Sequence, residues 1–316
     1  MNKNFLVSIA MTTYNGEQFL REQLDSIIAQ TCTDWELIVC DDCSTDGTWQ
    51  ILQEYADKDA RIKIYENEHN LGFKKNFEKA ISLCTGNYIA LSDQDDIWMK
   101  NHIEVLLNVA EEKSAAVGNA TIIDETGKQA PYLLSDGDLF FHSGDDGANL
   151  FTLLCFRNPF SGAISLYTKE LLAVALPVPD CIVYHDMWFS AVACCLNGLE
   201  YTFSPLVQHR IHGKNESGGH HVTFFNQISS VFSGVKERKK WTAQRIKICD
   251  ELISRVPNMP AEKKELLFVI RAYHENRLLG KRIKTILFTI KNYKRIYATE
   301  NYSQFLLRCI KILIIG

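Results

Sequence analysis

The feature that most constrains this chain is the alternation of two hydrophobic periods over its first hundred residues. Phe5–Met11 is an apolar stretch, broken only by Ser8, that ends in the turn-forming stretch Thr12-Thr13-Tyr14-Asn15-Gly16. Phe19, Leu20, Leu24, Ile27 and Ile28 then recur at helical spacing. Trp35–Cys40 is a second apolar run and stops at Asp41-Asp42. Asp46 is placed to cap a helix carrying Trp49, Ile51, Leu52 and Tyr55. The run Ile62–Tyr65 follows, then a helical pattern over Phe73–Leu83 that Gly86 can stop, then the run Tyr88–Leu91. Short strands joined through helices imply a parallel sheet, because parallel neighbours need a crossover and the helix supplies it. Ligands of such sheets bind beyond the carboxyl ends of the strands. Three strand ends here carry polar groups: Thr12–Asn15, Asp41-Asp42 and Asp93–Asp96. The topology brings all three to one edge.

Residues 115–220 are more β-like and less regular. Ala116–Ile123 and Gly127–Leu134 read as a hairpin around Asp124-Glu125-Thr126-Gly127. Asn158–Gly162 is a turn before an apolar strand, Ala163–Tyr167, and His185–Leu196 is helical. From about residue 221 the pattern is helical and basic. The expected class is α/β, a mixed, mainly parallel sheet flanked by helices, with a helical C-terminal extension. Hydrophobic residues make up 46% of the chain, enough for a real core and against wholesale disorder. The net charge of -4 gives no general attraction to nucleic acid, which is not an expected partner. There is no GxGxxG or Walker loop, so dinucleotide and P-loop readings fall away, as does a nucleotidyltransferase with a Gly-rich triphosphate loop. The start MNKNFLVSIAMTTYN reads as a strand entering a turn rather than a secretory signal. Ten cysteines in that context suggest reduced thiols in the cytoplasm. Cys40-Asp41-Asp42-Cys43 has CxxC spacing, but no second pair completes a zinc site, and two small side chains at a strand end is the favoured reading.

Asp93-Gln94-Asp95-Asp96 places three carboxylates within four positions. Like charges this close raise one another's pKa unless a cation neutralises them. A hard divalent ion suits such a strand end, since Mg²⁺ takes one or two protein carboxylates and lets substrate phosphates complete its shell. From these residues alone a solvated acidic turn ahead of the helix after Trp98 is the competing reading.

The stretches VSIAMTTYNGEQFLREQLDSIIAQTCTDWELIVCDDCSTDGT, NLGFKKNF and GNYIALSDQDDIW, followed by YHDMWFS and HRIHGKNESG, together resemble the family 2 glycosyltransferases of GT-A (Rossmann-like) fold. The resemblance covers about residues 5–218. TTYNGEQFLREQLDSI with LSDQDDIW is most similar to bacterial rhamnosyltransferase-type members. It implies an inverting, metal-dependent transferase using Mg²⁺ or Mn²⁺. The expected reaction moves rhamnose from dTDP-rhamnose onto a glycan or lipid-linked acceptor in cell-surface polysaccharide synthesis. A UDP-hexose (glucosyl or galactosyl) transferase and a non-catalytic nucleotide- or glycan-binding relative are the alternatives.

The same resemblance implies roles for individual residues. Thr12 and Tyr14 would contact the nucleotide, with Tyr14 free to stack on the pyrimidine. Asp42, with Asp41 beside it, would accept the ring N–H of uracil or thymine, a contact that discriminates against bases lacking that donor. The family usually has Gly or Asn where this chain has Cys43. Lys75 and Gln94 would join the nucleotide site. Asp93 and Asp95 stand at the DxD positions and would hold the metal, with His212 as a further ligand. Asp96 would meet the donor sugar or the backbone rather than the metal. Arg210 and Lys214, with His209 and His212, would clamp the diphosphate from a loop that closes over it. Asp186, read from residues alone, is a carboxylate favoured at a helix start by the dipole; the resemblance makes it the base that takes the acceptor hydroxyl's proton. His220-His221 reads as polar loop.

The expected organisation is a GT-A domain over 1–220, with a nucleotide-binding half at about 1–100 and an acceptor half at about 101–220. A helical basic region over 221–316 would follow. Residues 280–316 hold eight basic side chains against Glu300 alone. The closing FLLRCIKILIIG is too short to span a bilayer, which takes ~20 apolar residues. Such a segment suits either the surface of an anionic membrane, placing the protein at the inner face of the cytoplasmic membrane, or packing on the protein body.

Overall fold

The computed structural model describes residues 7–136, 144–155, 158–213 and 235–291. Its first half follows the expected alternation: β1 (Val7–Thr13), α1 (Leu20–Ile28), β2 (Trp35–Asp41), α2 (Thr48–Lys58), β3 (Ile62–Glu66), α3 (Phe73–Leu83) and β4 (Tyr88–Ser92). These four strands are parallel in the order β3-β2-β1-β4. The register pairs Thr13 with Asp41, Asp41 with Glu66 and Met11 with Ser92, so the ends of β1, β2 and β4 do share one edge. Both faces of the sheet are covered. Val7, Ile9, Ala10 and Met11 of β1 and Leu37, Ile38, Val39 and Cys40 of β2 are fully buried, which is why those strands read as apolar runs, interrupted only by Ser8 and Glu36, which hydrogen-bond to each other.

The second half adds β5 (Ile97–Trp98), α4 (His102–Ala110), β6 (Ala115–Asp124), β7 (Gln129–Leu133), α5 (Asp146–Cys155), β8 (Ser165–Thr168), α6 (Lys169–Ala175), α7 (His185–Cys195) and β9 (Leu199–Ile211). β8 runs antiparallel between β4 and β6, β9 is parallel to β6, and β5 pairs antiparallel with β9. The sheet is therefore mixed, as expected. The β6–β7 hairpin forms around Asp124, whose carboxylate accepts from the backbone N–H groups of Thr126 and Lys128, with Gly127 at φ +82°.

Two local expectations change. Trp98 was expected to lead straight into a helix. Instead Ile97 and Trp98 pair with Gln208 and Val207, and α4 starts at His102. That pairing is with a strand more than a hundred residues away, which no local pattern announces. The strand expected from Ala163 begins at Ser165, because Gly162–Ile164 is a tight turn closed by the Ser165 hydroxyl donating to the Ser161 carbonyl at 2.6 Å. Three helices complete the described chain: α8 (Val235–Arg255), α9 (Ala261–Leu278) and α10 (Arg282–Lys291). α8 packs on α5 and α7, α9 on α8 and α5, and α10 on α9. The boundary expected near residue 220 lies outside the described residues.

Candidate active site

The side expected to take the nucleotide is built at the ends of β1 and β2. Thr13 Oγ1 donates to Asp41 Oδ1 at 2.7 Å, and the Ser44 N–H and hydroxyl donate to the same carboxylate at 2.9 and 2.6 Å. Asp41 thus holds the turn after β2 against β1. Asp42 organises the loop before α3: Asn67 Nδ2 and the Leu71 N–H donate to its Oδ1, both at 2.7 Å, and the Gly72 N–H donates to Oδ2 at 2.8 Å. A carboxylate has about four lone-pair positions, so Oδ2 keeps one acceptor position. Cys43 sits at φ +65°, a region that Gly and Asn tolerate best. Its thiol donates to the Asn67 carbonyl at 3.2 Å. Burial pushes Cys40 up to about 11 and also raises Cys43, with Asp42 and Asp41 adding to the latter, so neither is a thiolate at neutral pH.

Thr12 is partly exposed at this edge, and the Tyr14 ring is 51% exposed. The Gln94 amide joins the β1 turn to the acidic loop: its Oε1 accepts from the Tyr14 N–H at 2.9 Å and its Nε2 donates to the Tyr14 carbonyl at 3.1 Å. Gly16 is required beneath it, since a Cβ there would overlap the Gln94 amide. Lys75 lies on α3 and pairs with Glu78 at 2.8 Å.

The acidic loop follows β4, and two histidines of the β9 end answer its charges. His209 Nδ1 lies 2.9 Å from Asp96 Oδ1, which also accepts the Arg210 N–H at 3.0 Å. His212 Nε2 lies 2.8 Å from Asp95 Oδ2. Burial disfavours charge on His209, but Asp96, then Asp93 and Asp95, outweigh it and raise its pKa. Burial, then Asp96 and Asp95, push the Asp93 carboxyl up; burial and Asp96 push Asp95 up against its bond to His212. Among the described residues nothing donates a hydrogen bond to the Asp93 carboxylate.

Arg210, expected at the diphosphate, is buried. Its guanidinium donates to Glu22 at 2.7 Å and to the Asp95 carbonyl at 2.9 Å, and lies 4.5 Å from the Phe19 ring centroid. Phe19 reads in the sequence only as an apolar helix position and Glu22 carries no signal there, because only the distant return of β9 brings Arg210 to them. Lys214 lies outside the described residues.

Asp186 sits in the first turn of α7. Its Oδ1 accepts from the Met187 N–H at 2.6 Å, and the Gly162 N–H and the Asn158 side chain also donate to it. Burial nevertheless pushes its carboxyl up to about 6. The turn before β8 packs directly on it: a Cβ at Gly162 would lie 3.3 Å from Asp186 Cβ and 3.4 Å from Leu91 Cδ1 of β4. The charge of Asp186 also raises the Asp93 carboxyl, which places the start of α7 near the acidic loop. His185 beside it is buried among Phe73, Phe77 and Phe189, and burial lowers it to about 4, leaving it neutral. Asn158 and Gly162 were legible only as a turn; their contact with Asp186 was not.

The family model described as "Glycosyl transferase family 2" matches residues 8–172, more than half of the chain and all of the parallel half with the acidic loop. The chain belongs to this family. It is 39% identical over 111 residues to a putative teichuronic acid biosynthesis glycosyltransferase, TuaG, of Bacillus subtilis, covering 35% of this chain and 44% of TuaG. It is 33% identical over 164 residues to the Escherichia coli UDP-Glc:alpha-D-GlcNAc-diphosphoundecaprenol beta-1,3-glucosyltransferase WfgD, covering 50% of this chain and 64% of WfgD. The chain thus spans about half to two thirds of the length of these relatives. The fold resembles S. aureus TarS in complex with UDP-GlcNAc, with a TM-score of 0.59 at 20% identity, covering 92% of this chain and 81% of that one. It also resembles the mannosyltransferase PcManGT from Pyrobaculum calidifontis in complex with GDP-Man and Mn²⁺, with a TM-score of 0.55 at 16% identity, covering 100% and 82%.

Proposed function

We propose that this family 2 member transfers a sugar, with inversion, from a nucleoside-diphosphate donor onto a glycan or lipid-linked saccharide in cell-surface polysaccharide synthesis. The observation that carries the reading is the proximity of two acidic groups: the loop at the end of β4, where Asp93 has no donor among the described residues, and a partly buried carboxylate at the start of α7.

Asp186 is the base. A general base works best when its pKa is near the operating pH, and burial moves Asp186 in that direction. The acceptor oxygen bonds to the anomeric carbon as its proton passes to Asp186, and the bond from that carbon to the diphosphate breaks. The Gly162, Met187 and Asn158 donors hold the carboxylate in place. Tyr14 and Thr12 hold the nucleotide, and the remaining acceptor position on Asp42 takes the ring N–H.

We assign the acidic loop a divalent cation, Mg²⁺ or Mn²⁺; among the described residues no three His, Cys, Asp or Glu side chains are gathered to hold one, so substrate phosphates would complete its shell. Asp93 has no donor among the described residues, and burial, then Asp96 and Asp95, push its carboxyl up; a bound cation relieves that repulsion. Asp93 and Asp95 would hold it, with His212 beside them, and the ion would neutralise charge on the departing diphosphate. Arg210 supports that loop from below through the Asp95 carbonyl.

The donor base is uracil or thymine, since both offer the ring N–H that Asp42 accepts. The rhamnosyl reading takes dTDP-rhamnose. A UDP-hexose is the second reading, favoured by the UDP sugars named for WfgD and in the TarS complex.

A thermal-shift panel of dTDP, UDP and GDP, with and without Mn²⁺, tests this. Saturation at about 100 times Kd adds ~2.7 kcal/mol, a shift of several degrees. A metal-dependent shift with dTDP above UDP supports the rhamnosyl donor, and the reverse order the UDP-hexose. No shift with any nucleotide refutes the transferase reading and leaves a non-catalytic relative.

A further inference from the structure

We infer that the outer face of α10 rests on an anionic lipid surface. Ile283, Leu287 and Ile290 recur at helical spacing along it and are 72%, 61% and 51% exposed; Leu279, in the turn before, is 65% exposed. The opposite face is used. Thr285 is buried, and the Phe288 ring lies 5.6 Å from that of Tyr273 on α9. A helix packed on a globular body normally turns its apolar stripe inward and its polar face to water. Here one apolar face is docked and a second one is left outside.

The polar residues around that second face are all of one sign. Lys281, Arg282, Lys284 and Lys291 are exposed, and no acidic residue occurs between Glu275 and Glu300. Charge decides the occupant. A second copy meeting the same face about a two-fold axis would set these cations against their own images. Residues 292–316 carry Lys294, Arg295, Arg308 and Lys311 against Glu300, again the wrong sign. Anionic headgroups over acyl chains match both the cations and the aliphatic row. α10 is too short to span: no described helix is long and apolar enough to cross a membrane, so the contact is one of lying on the surface. Because α10 packs on α9, α9 on α8, and α8 on α7, the lipid-facing helix belongs to the same packed body as the helix that starts at Asp186.

The inference does not rest on the proposed reaction. The full chain is sedimented with vesicles of phosphatidylcholine alone and of phosphatidylcholine with phosphatidylglycerol. Binding is expected to the anionic vesicles only and to weaken with salt. Lys284→Gln with Lys291→Gln should weaken it about fivefold per charge removed, and Ile283→Ser with Leu287→Ser about tenfold or more. All four side chains are mainly in solvent, so the variants keep the fold, checked by circular dichroism and an unchanged nucleotide thermal shift. No binding to anionic vesicles, or binding that survives both variants, overturns the inference. So does a dimer in sedimentation velocity that Leu287→Ser dissociates, since the face would then be an interface between copies. The nucleotide shift reads the transferase proposal separately, so either can fail without the other.

Discussion

Asp186→Asn separates catalysis from stability in opposite directions. A free aspartate titrates near ~3.9, whereas burial holds Asp186 at about 6 in the folded protein. The folded state therefore binds more protons than the unfolded state between these values, and stability falls as pH rises through that window. Above it, keeping this carboxylate charged inside the fold costs about 3 kcal/mol by linkage. Asn has the same shape and no charge. It forfeits some of the strength of the bonds from Met187, Gly162 and Asn158, so the net gain is about 1–2 kcal/mol at pH 8. For a chain of this size that is a rise in Tm of ~2–5 °C. At pH 5 the folded carboxyl is largely protonated but the unfolded one is still ionised, so about half of that cost is present and the advantage of the variant should shrink to less than ~1 kcal/mol. The assay is thermal unfolding of both proteins across pH 5–8, alongside sugar transfer. Transfer should fall by ~10²–10⁴-fold, the usual contribution of a positioned base, and wild-type activity should lose its acid limb near the same pH. An advantage of the variant over wild type that is no larger at pH 8 than at pH 5 would refute the burial argument. A variant with full activity would remove Asp186 from the mechanism.

Asp95→Ala should abolish the Mn²⁺-dependent part of nucleotide binding in the thermal-shift panel; an unchanged Mn²⁺ response places the cation elsewhere. Gly162→Ala puts a methyl 3.3 Å from Asp186 Cβ. It should lower kcat by ~10–100-fold, the scale of a small misplacement of a catalytic group, with donor KM unchanged, as steady-state kinetics will report. Cys43→Gly removes a left-handed non-glycine residue at the cost of one weak thiol bond. It should raise stability by ~1 kcal/mol in denaturant unfolding. Arg210→Met keeps the buried stem but deprives the Asp95 carbonyl and Glu22 of their donor. It should cost ~1–3 kcal/mol and leave nucleotide affinity in titration calorimetry largely intact, whereas a diphosphate-contacting arginine would lose affinity first.

The parallel half was legible because each of its strands and helices carries its own period, and because short crossovers leave one topology. That alone placed Thr12–Asn15, Asp41-Asp42 and Asp93–Asp96 on a common edge. Beyond Asp96 the signals become long-range. β5 is two residues long and exists only as a partner of β9, and Arg210 finds Glu22 only after the chain has returned across the sheet. The type of residue was readable there, but its burial and its bonds to Glu22 and the Asp95 carbonyl were not. Asp186 shows the same limit from the other side. Its place at a helix start is local; its raised pKa comes from burial beneath the turn at Asn158–Gly162, which the local pattern leaves undetermined.

Gln94 occupies the middle of the acidic run, yet its amide is spent on both polar groups of the Tyr14 peptide. It works as a splint. The loop that bears the carboxylates and the turn that bears the nucleotide contacts are fastened before any donor arrives, and Gly16 keeps the joint closed by offering no side chain. The two halves of a donor, its base and its diphosphate, therefore meet a receptor of fixed spacing. Less ordering remains to be done on binding, and more of each contact is left to appear as affinity.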